Sequence, residues 1–464
     1  MTGCALRLHQ LPFYLLLAAV VLAPLPFGSV QIGAWSLLAF VAGLATACWA
    51  VMAAIGLGPD VRAGRLKWPL AAFLLVVGWV VIQLGTHTPV AWHHPIWAIA
   101  SEALGAPLAG RIAIDPQAGW FGLIRLLSYG AIFWLAVQYG GDAKLAARAL
   151  RIFTVAGAAA AGLGLAIWSA GLTQLLWFDD GFVLAQMRYG SRLAIPFVNP
   201  NHLASFAAIG LITSIGLIAA EVRGLWRPET AAREKLRRFI DTVVGRHWLL
   251  LVSCMIYVTA LVLSQSRGGI AAALVGLLVL WAALLRRTRP SISRMVPAAV
   301  VGLVVAATVF APTIGRFADR IGKVEAEAVQ RMEIYRNAIN AIEASPVLGY
   351  GYGGFPALYR MYDQNDVGGV VDYAHSTVLE IVVELGIPAA AVLFAALLWP
   401  IVACWRGARL RQRDQHIPAL ATAAAAVAAI HSMVDFPLQI PAIAAAFALI
   451  LGLGFAQAVS SKNS

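Results

Sequence analysis

Four polar segments interrupt an otherwise apolar chain, and their residue types suit the handling of an anion and a proton. Leu263-Ser-Gln-Ser-Arg267-Gly-Gly269 places an arginine between two apolar runs with almost no loop. A guanidinium stays charged and grips a phosphate with two donors at once, and Gly268 and Gly269 let backbone approach closely. A snorkelling anchor at a helix end would use the same arginine, so this segment alone leaves both readings open. Gln330-Arg331-Met-Glu-Ile-Tyr335-Arg336 sets Arg331 and Tyr335 four residues apart, on one face of a helix, with Arg336 directed elsewhere. Solvated surface charge is the plain alternative.

The third segment is Asp372-Tyr-Ala-His375-Ser-Thr-Val-Leu-Glu380, running on to Glu384-Leu-Gly-Ile-Pro388. His375 falls at the start of a long apolar run, where an imidazole can act as general base or simply hydrogen-bond at an interface. Glu380 and Glu384 share one helix face, and carboxylates at membrane depth need partners such as arginines. The fourth segment is Arg192-Leu-Ala-Ile-Pro196-Phe-Val-Asn199-Pro-Asn201-His202. So polar a break at the head of an apolar run suits a cavity lining, with a helix start capped by Asn201 as the alternative. A similar break, His431-Ser-Met-Val-Asp435-Phe-Pro-Leu-Gln439, separates the last two apolar runs.

The elements that position these residues are membrane spans. Charged residues make up 12 % of the 464-residue chain and hydrophobic ones 61 %, against about a quarter charged in soluble domains. Apolar runs of span length fall near 11–27, 34–57, 68–86, 119–139, 145–169, 194–220, 248–265, 268–285, 295–312, 376–403, 416–434 and 437–458. The first run, preceded by Arg7, has the look of a signal peptide. With eleven more behind it, an uncleaved first span is expected. The sequence thus predicts an all-α integral membrane protein of about twelve transmembrane helices, in a single polytopic domain over 1–464.

The net charge of +12 comes from clusters between apolar runs, without the interleaved aromatic platforms of nucleic-acid binders. About two-thirds of Lys and Arg fall on alternate connections, most densely in the basic loop 221–247. The positive-inside rule then puts both termini and those connections in the cytoplasm, and predicts no nucleic-acid partner. The opposite side receives two sizeable loops, 87–118 and 313–375. Within the larger loop a helix is expected over 325–344, with Val329, Met332, Tyr335, Ala338, Ile339 and Ile342 as its apolar stripe. Gly349-Tyr-Gly-Tyr-Gly-Gly354 follows as a turn region. Cys4, Cys48, Cys254 and Cys404 are scattered and read as small buried hydrophobes. All four polar segments and the late break converge on the face of the large loop.

The order S-R-G-G, then R-x-x-x-Y with P-x-L-G-Y-G-Y-G-G-F, then A-H-S-T-x-L-E with E-L-G-I-P resembles the O-antigen ligase/polymerase family over roughly 190–440. The entry Phe197-Val-Asn-Pro-Asn-His-Leu-Ala204 and the late Val434-Asp-Phe-Pro-Leu-Gln439 are similar to family segments. The resemblance implies a GT-C-like membrane fold and an inverting, metal-independent glycosyltransferase without cofactor, in the bacterial inner membrane. The donor it implies is a glycan on undecaprenyl pyrophosphate. The acceptor is a glycan or lipid A–core, and membrane lipids and other glycan-assembly proteins are the expected partners. Arg267 and Arg331 match the arginines assigned to the donor pyrophosphate, and His375 matches the histidine assigned to the acceptor hydroxyl. Tyr335 stands where tryptophan is common. Arg336, Tyr335, Arg192, Asn199, Asn201, His202, Glu380, Asp435 and Gln439 complete the expected substrate-binding set. The sequence carries no Asp-x-Asp, and the turn Phe27 to Gln31 lacks a carboxylate. Two other readings stay open: transfer of glycan to protein, and a transporter or flippase using the breaks at 199–202 and 431–435.

Overall fold

The computed structural model describes residues 8–59, 61, 64–171, 192–222, 232–285, 321–362, 371–411 and 413–458. The helices over these residues run α1 Leu11–Leu22, α2 Ile32–Ala54, α3 Lys67–Leu84, α4 Ile96–Leu104, α5 Pro116–Tyr139 and α6 Ala143–Ser169. They continue as α7 Pro200–Val222, α8 Ala232–Ile240, α9 Trp248–Leu263, α10 Arg267–Leu284 and α11 Ile321–Ala344. The last five are α12 Phe355–Tyr362, α13 Thr377–Leu385, α14 Ile387–Leu410, α15 His416–Ser432 and α16 Pro441–Ala458. Among the described residues no strand occurs. Eight of these helices are long and apolar enough to cross a bilayer, and α1, α9 and α15 are shorter apolar helices. They account for every expected span but the one at 295–312, which lies outside the described residues.

Apolar residues on every side mark a helix for the interior of a bundle. Of its most apolar stretch, α16 buries 89 % and α7 78 %, against 22 % for α2, so α16 and α7 form the centre and α2 the rim. Lipid is as apolar as leucine, so close packing of small residues, rather than expulsion of water, holds such helices together. A Cβ at Gly210 of α7 would lie 2.2 Å from Cζ of Tyr257 in α9; the ring lies across the glycine. The Tyr257 hydroxyl then donates to the Thr154 carbonyl of α6 at 2.9 Å, which satisfies a buried polar group and ties three helices.

Two sequence expectations are corrected here. The run 376–403 is two helices: α13 ends at Leu385, Gly386 (φ 78°, ψ 160°) turns the chain, and α14 is the span. Only glycine adopts that backbone readily. A Cβ there would sit 2.1 Å from the Val347 carbonyl, and Ile387 donates to the Pro346 carbonyl at 2.8 Å. His375 therefore precedes a short helix laid on the loop face, and Glu380 and Glu384 belong to that helix. The second correction concerns α11, which runs Ile321–Ala344. It buries Ile334, Ala338 and Ala341; of the expected stripe, Ala338 is buried and Tyr335 and Ile342 half-buried, whereas Val329, Met332 and Ile339 are exposed. Period alone allowed either face; the partners Tyr350 in the following turn and Phe355 and Leu358 in α12 selected this one.

Gly386→Ala is expected to cost about 1–3 kcal/mol from the backbone conformation alone. The detergent-purified variant should melt at a lower temperature, and an unchanged melting curve would contradict the tight α13–α14 turn.

Candidate active site

α9 and α10 are joined by three residues. Gln265 takes a left-handed backbone (φ 52°), and Ser266 caps α10 by accepting the Gly269 amide at 3.2 Å. That reversal makes Arg267 the first residue of α10, exposed at the helix end that favours anions. Arg192 braces the turn from outside: Nε donates to the Ser264 carbonyl at 2.9 Å and Nη2 to Oδ1 of Asn201 at 3.1 Å. Asn199, rather than Asn201, precedes α7, and its Oδ1 accepts the Asn201 amide at 2.8 Å. The pair expected to line a cavity thus serves as cap and brace.

The break after α15 supplies the floor. Asp435 donates its amide to the His431 carbonyl at 2.9 Å, and its side chain is 2 % exposed. Gly268 packs on His431 and Val434, which brings the head of α10 against this break. Arg331 reaches the same place from α11, donating from Nη1 to the Val434 carbonyl at 3.2 Å. One turn on, Tyr335 donates its hydroxyl to the His375 carbonyl at 2.9 Å, so the face shared by Arg331 and Tyr335 is the one turned to the site. Arg336 is exposed on the other side of α11.

His375 sits in the left-handed region (φ 50°), unusual for a residue with a side chain. Its carbonyl is held by Tyr335, and Ser376 caps α13 behind it. This geometry brings Nδ1 to 3.7 Å from Oδ1 of Asp435, with the imidazole 29 % exposed. Nδ1 is buried on the carboxylate side, beyond hydrogen-bond distance from it and without another hydrogen bond among the described residues. Burial alone would raise the Asp435 carboxyl; His375 beside it, with His202 and His431, holds it well below the usual range.

An aromatic wall closes the back. Phe436 stacks on Tyr373 at 4.0 Å, and the rings of His375 and His202 meet it edge-on at 5.2 and 4.7 Å. His202 is 4 % exposed there, and neither ring nitrogen has a hydrogen bond among the described residues. His431 shares a 2.5 Å hydrogen bond with the Ser205 hydroxyl. From Asp435 a chain of bonds runs inward. Thr377 donates its amide to the Asp435 carbonyl at 3.1 Å and its hydroxyl to Oε1 of Gln439 at 3.0 Å. Gln439 in turn donates to Glu380 at 3.1 Å, and Glu380 accepts the Ala374 amide at 2.9 Å. Glu384 accepts the Phe355 amide at 3.2 Å, while its own backbone carbonyl takes the Gly351 amide at 3.0 Å. The two glutamates therefore clamp the glycine turn and the His375 segment onto α13. Burial raises both carboxyls, Glu384 to about 7, and the charge of Glu384 adds to the shift at Glu380.

Among the described residues no group of three His, Cys, Asp or Glu side chains is placed to hold a metal ion. The sequence reading missed Arg125, nine residues inside α5 and facing a cavity beside Glu380 and Glu384. Its signal was available, since an arginine in an apolar span is costly and marks function by default.

Residues 252–394 match the family model described as O-antigen ligase. The match covers about a third of the chain, and that region is similar to the family. The matched region runs from α9 into α14 and holds Arg267, Arg331, His375 and Glu380. Asp435 and Arg192 come from outside it, so folding completes the site with residues the matched region lacks. No curated protein matches the chain. The helices describe a multi-pass membrane protein, and its matched region is similar to a family of glycosyltransferase type.

Proposed function

We propose that the protein transfers glycan from undecaprenyl pyrophosphate to a sugar hydroxyl, with inversion and without metal. The observation carrying this reading is the meeting of Arg267, Arg331 and the His375–Asp435 pair at one break, although they lie on separate elements. The acceptor oxygen attacks the anomeric carbon as the carbon–oxygen bond to pyrophosphate breaks. His375 takes the hydroxyl proton at the ring nitrogen turned from Asp435, and the leaving pyrophosphate carries its charge to Arg267 and Arg331. Fixed cations in a poorly hydrated site stabilise charge developing at a leaving group without reorganising. Arg192, Asn199, Asn201 and Tyr335 hold these groups in place; Asp435 orients the imidazole.

On this reading the loop face is periplasmic, the termini lie in the cytoplasm and the membrane is the bacterial inner one. Polymerisation and ligation to lipid A–core both fit the site. The deciding assay uses purified protein in nanodiscs with a synthetic lipid-pyrophosphate glycan. Transfer to a glycan acceptor without any ion gradient is expected, and movement of lipid across the bilayer without transfer would establish a flippase instead. Activity should also survive excess EDTA. Loss on chelation, restored by magnesium or manganese, would sink the arginine-only mechanism.

A further inference from the structure

Five buried polar atoms around the 431–435 break have no hydrogen bond among the described residues. They are both ring nitrogens of His202, Nδ1 of His375, Oδ2 of Asp435 and Oγ of Ser432. Phe436 gathers the two histidines: His202 meets its ring edge-on at 4.7 Å and His375 at 5.2 Å. Asp435 is the residue before it, and both imidazoles hold its carboxyl down. Oδ1 of that carboxyl accepts the Phe436 amide at 3.0 Å, which fixes the group and leaves Oδ2 unused. A neutral imidazole carries one N–H and one lone pair. Leaving such groups unpaired in the interior is costly, so buried ones bond to protein or to ordered water. His375 Nδ1 and Asp435 Oδ1, 3.7 Å apart, are too distant for a direct bond, and a solvent molecule joins polar groups at that separation. A histidine kept for packing alone would bury two polar atoms that phenylalanine does not have.

We propose that His202 is a positioning residue for the transfer, holding one buried water that joins Asp435 to Nδ1 of His375. This rests on the transferase reading above and deepens it. The proton count closes. The water accepts from an N–H of His202 and from Nδ1–H of His375, and donates one hydrogen to Oδ2 of Asp435. About three bonds is the usual complement of a buried water. The consequence is a fixed tautomer. With the proton kept on Nδ1, the lone pair of His375 lies on Nε2, the nitrogen that takes the proton of the acceptor hydroxyl. A carboxylate at 3.7 Å would hold that tautomer weakly by itself, and the water carries the constraint across the gap. His431 is already bonded to the Ser205 hydroxyl through Nδ1, which leaves His202 as the unbonded imidazole behind the carboxylate.

The test uses the full chain in nanodiscs with a synthetic lipid-pyrophosphate donor and a glycan acceptor. His202→Phe keeps a ring against Phe436 and removes both nitrogens, whereas His202→Gln keeps a donor. His202→Phe is expected to lower kcat about tenfold or more, a part of the hundred- to ten-thousand-fold that a general base contributes. The donor KM should stay within twofold of wild type, because Arg267 and Arg331 hold the pyrophosphate. His202→Gln should recover most of the loss. Nitrogen NMR of isotope-labelled histidine reads the tautomer without turnover, with the His375 signals assigned by their disappearance in His375→Gln. With the imidazole neutral, His375 should show a protonated Nδ1 and a bare Nε2 in wild type and His202→Gln, and mixed tautomers in His202→Phe. Wild-type kcat in His202→Phe, an unchanged His375 tautomer there, or a loss that glutamine does not recover would each overturn the proposal. Transfer by a wild type whose His375 tautomers are already mixed would overturn the water bridge alone. A fixed tautomer released by His202→Phe, in a protein that transfers no glycan, would overturn the transferase reading and leave the bridge standing.

Discussion

Replacing Arg331 or Arg267 by alanine is expected to lower transfer by at least about a hundred- to a thousand-fold, the usual cost of removing one preorganised donor from a developing charge. Both arginines stand where α10 and α11 meet the 431–435 break, one at a helix N-terminus and one bonded to the Val434 carbonyl. Lysine at either position should recover little, because an ammonium cannot hold phosphate bidentately. Expression and membrane insertion should be unchanged, since neither side chain is part of the buried core. Single-turnover transfer with a synthetic donor, alongside donor binding, is the measurement. Arg336→Ala serves as the control. If it lost activity while Arg331→Ala kept wild-type turnover, the assignment would be wrong by one face of α11.

The second large effect belongs to His375. As general base it contributes about a hundred- to ten-thousand-fold, so His375→Ala should fall by that order with donor binding largely kept. Wild-type transfer should rise with pH, as a rate that needs an unprotonated base does. Asp435 should not contribute to that rise. Its folded carboxyl is depressed, so the stability it adds is present above its unfolded value of about 3.9 and lost only as pH falls below it. Asp435→Asn should therefore lower the rate without disturbing donor binding, by leaving the imidazole unoriented 3.7 Å away. A His375→Gln variant within a few-fold of wild type would end the general-base proposal and make His375 a group that positions the acceptor.

Much of this architecture was legible from residue types. Arg331 and Tyr335 were paired from their spacing, and the structure turns both to the site because helical periodicity is local. The pairing of His375 with Asp435 was not legible. They lie 60 residues apart, with the whole of α14 and α15 between them, and no periodicity links them. Asn201 and Arg192 were read as substrate-facing because polar groups at the head of a span demand partners. Within the protein they bond to each other, and Arg192 also to the Ser264 carbonyl. The exposed Val329 and Met332 on α11 show the same limit: apolar spacing names a stripe, while the elements packed against the helix select its buried face.

By itself, the sequence determined the membrane class and the boundaries of most spans, and it singled out the arginines and histidine proposed to bear chemistry. Burial of a charge in lipid is so costly that each polar interruption is informative without coordinates. Tertiary structure decided everything that depends on contacts between distant segments. It set the Gly386 break that lays α13 on the loop face, the left-handed His375 held by Tyr335, and the Asp435 behind it. It also set the cavity that Arg125 faces. Such contacts are fixed by packing of whole helices, whose small-residue faces admit several neighbours until the bundle closes.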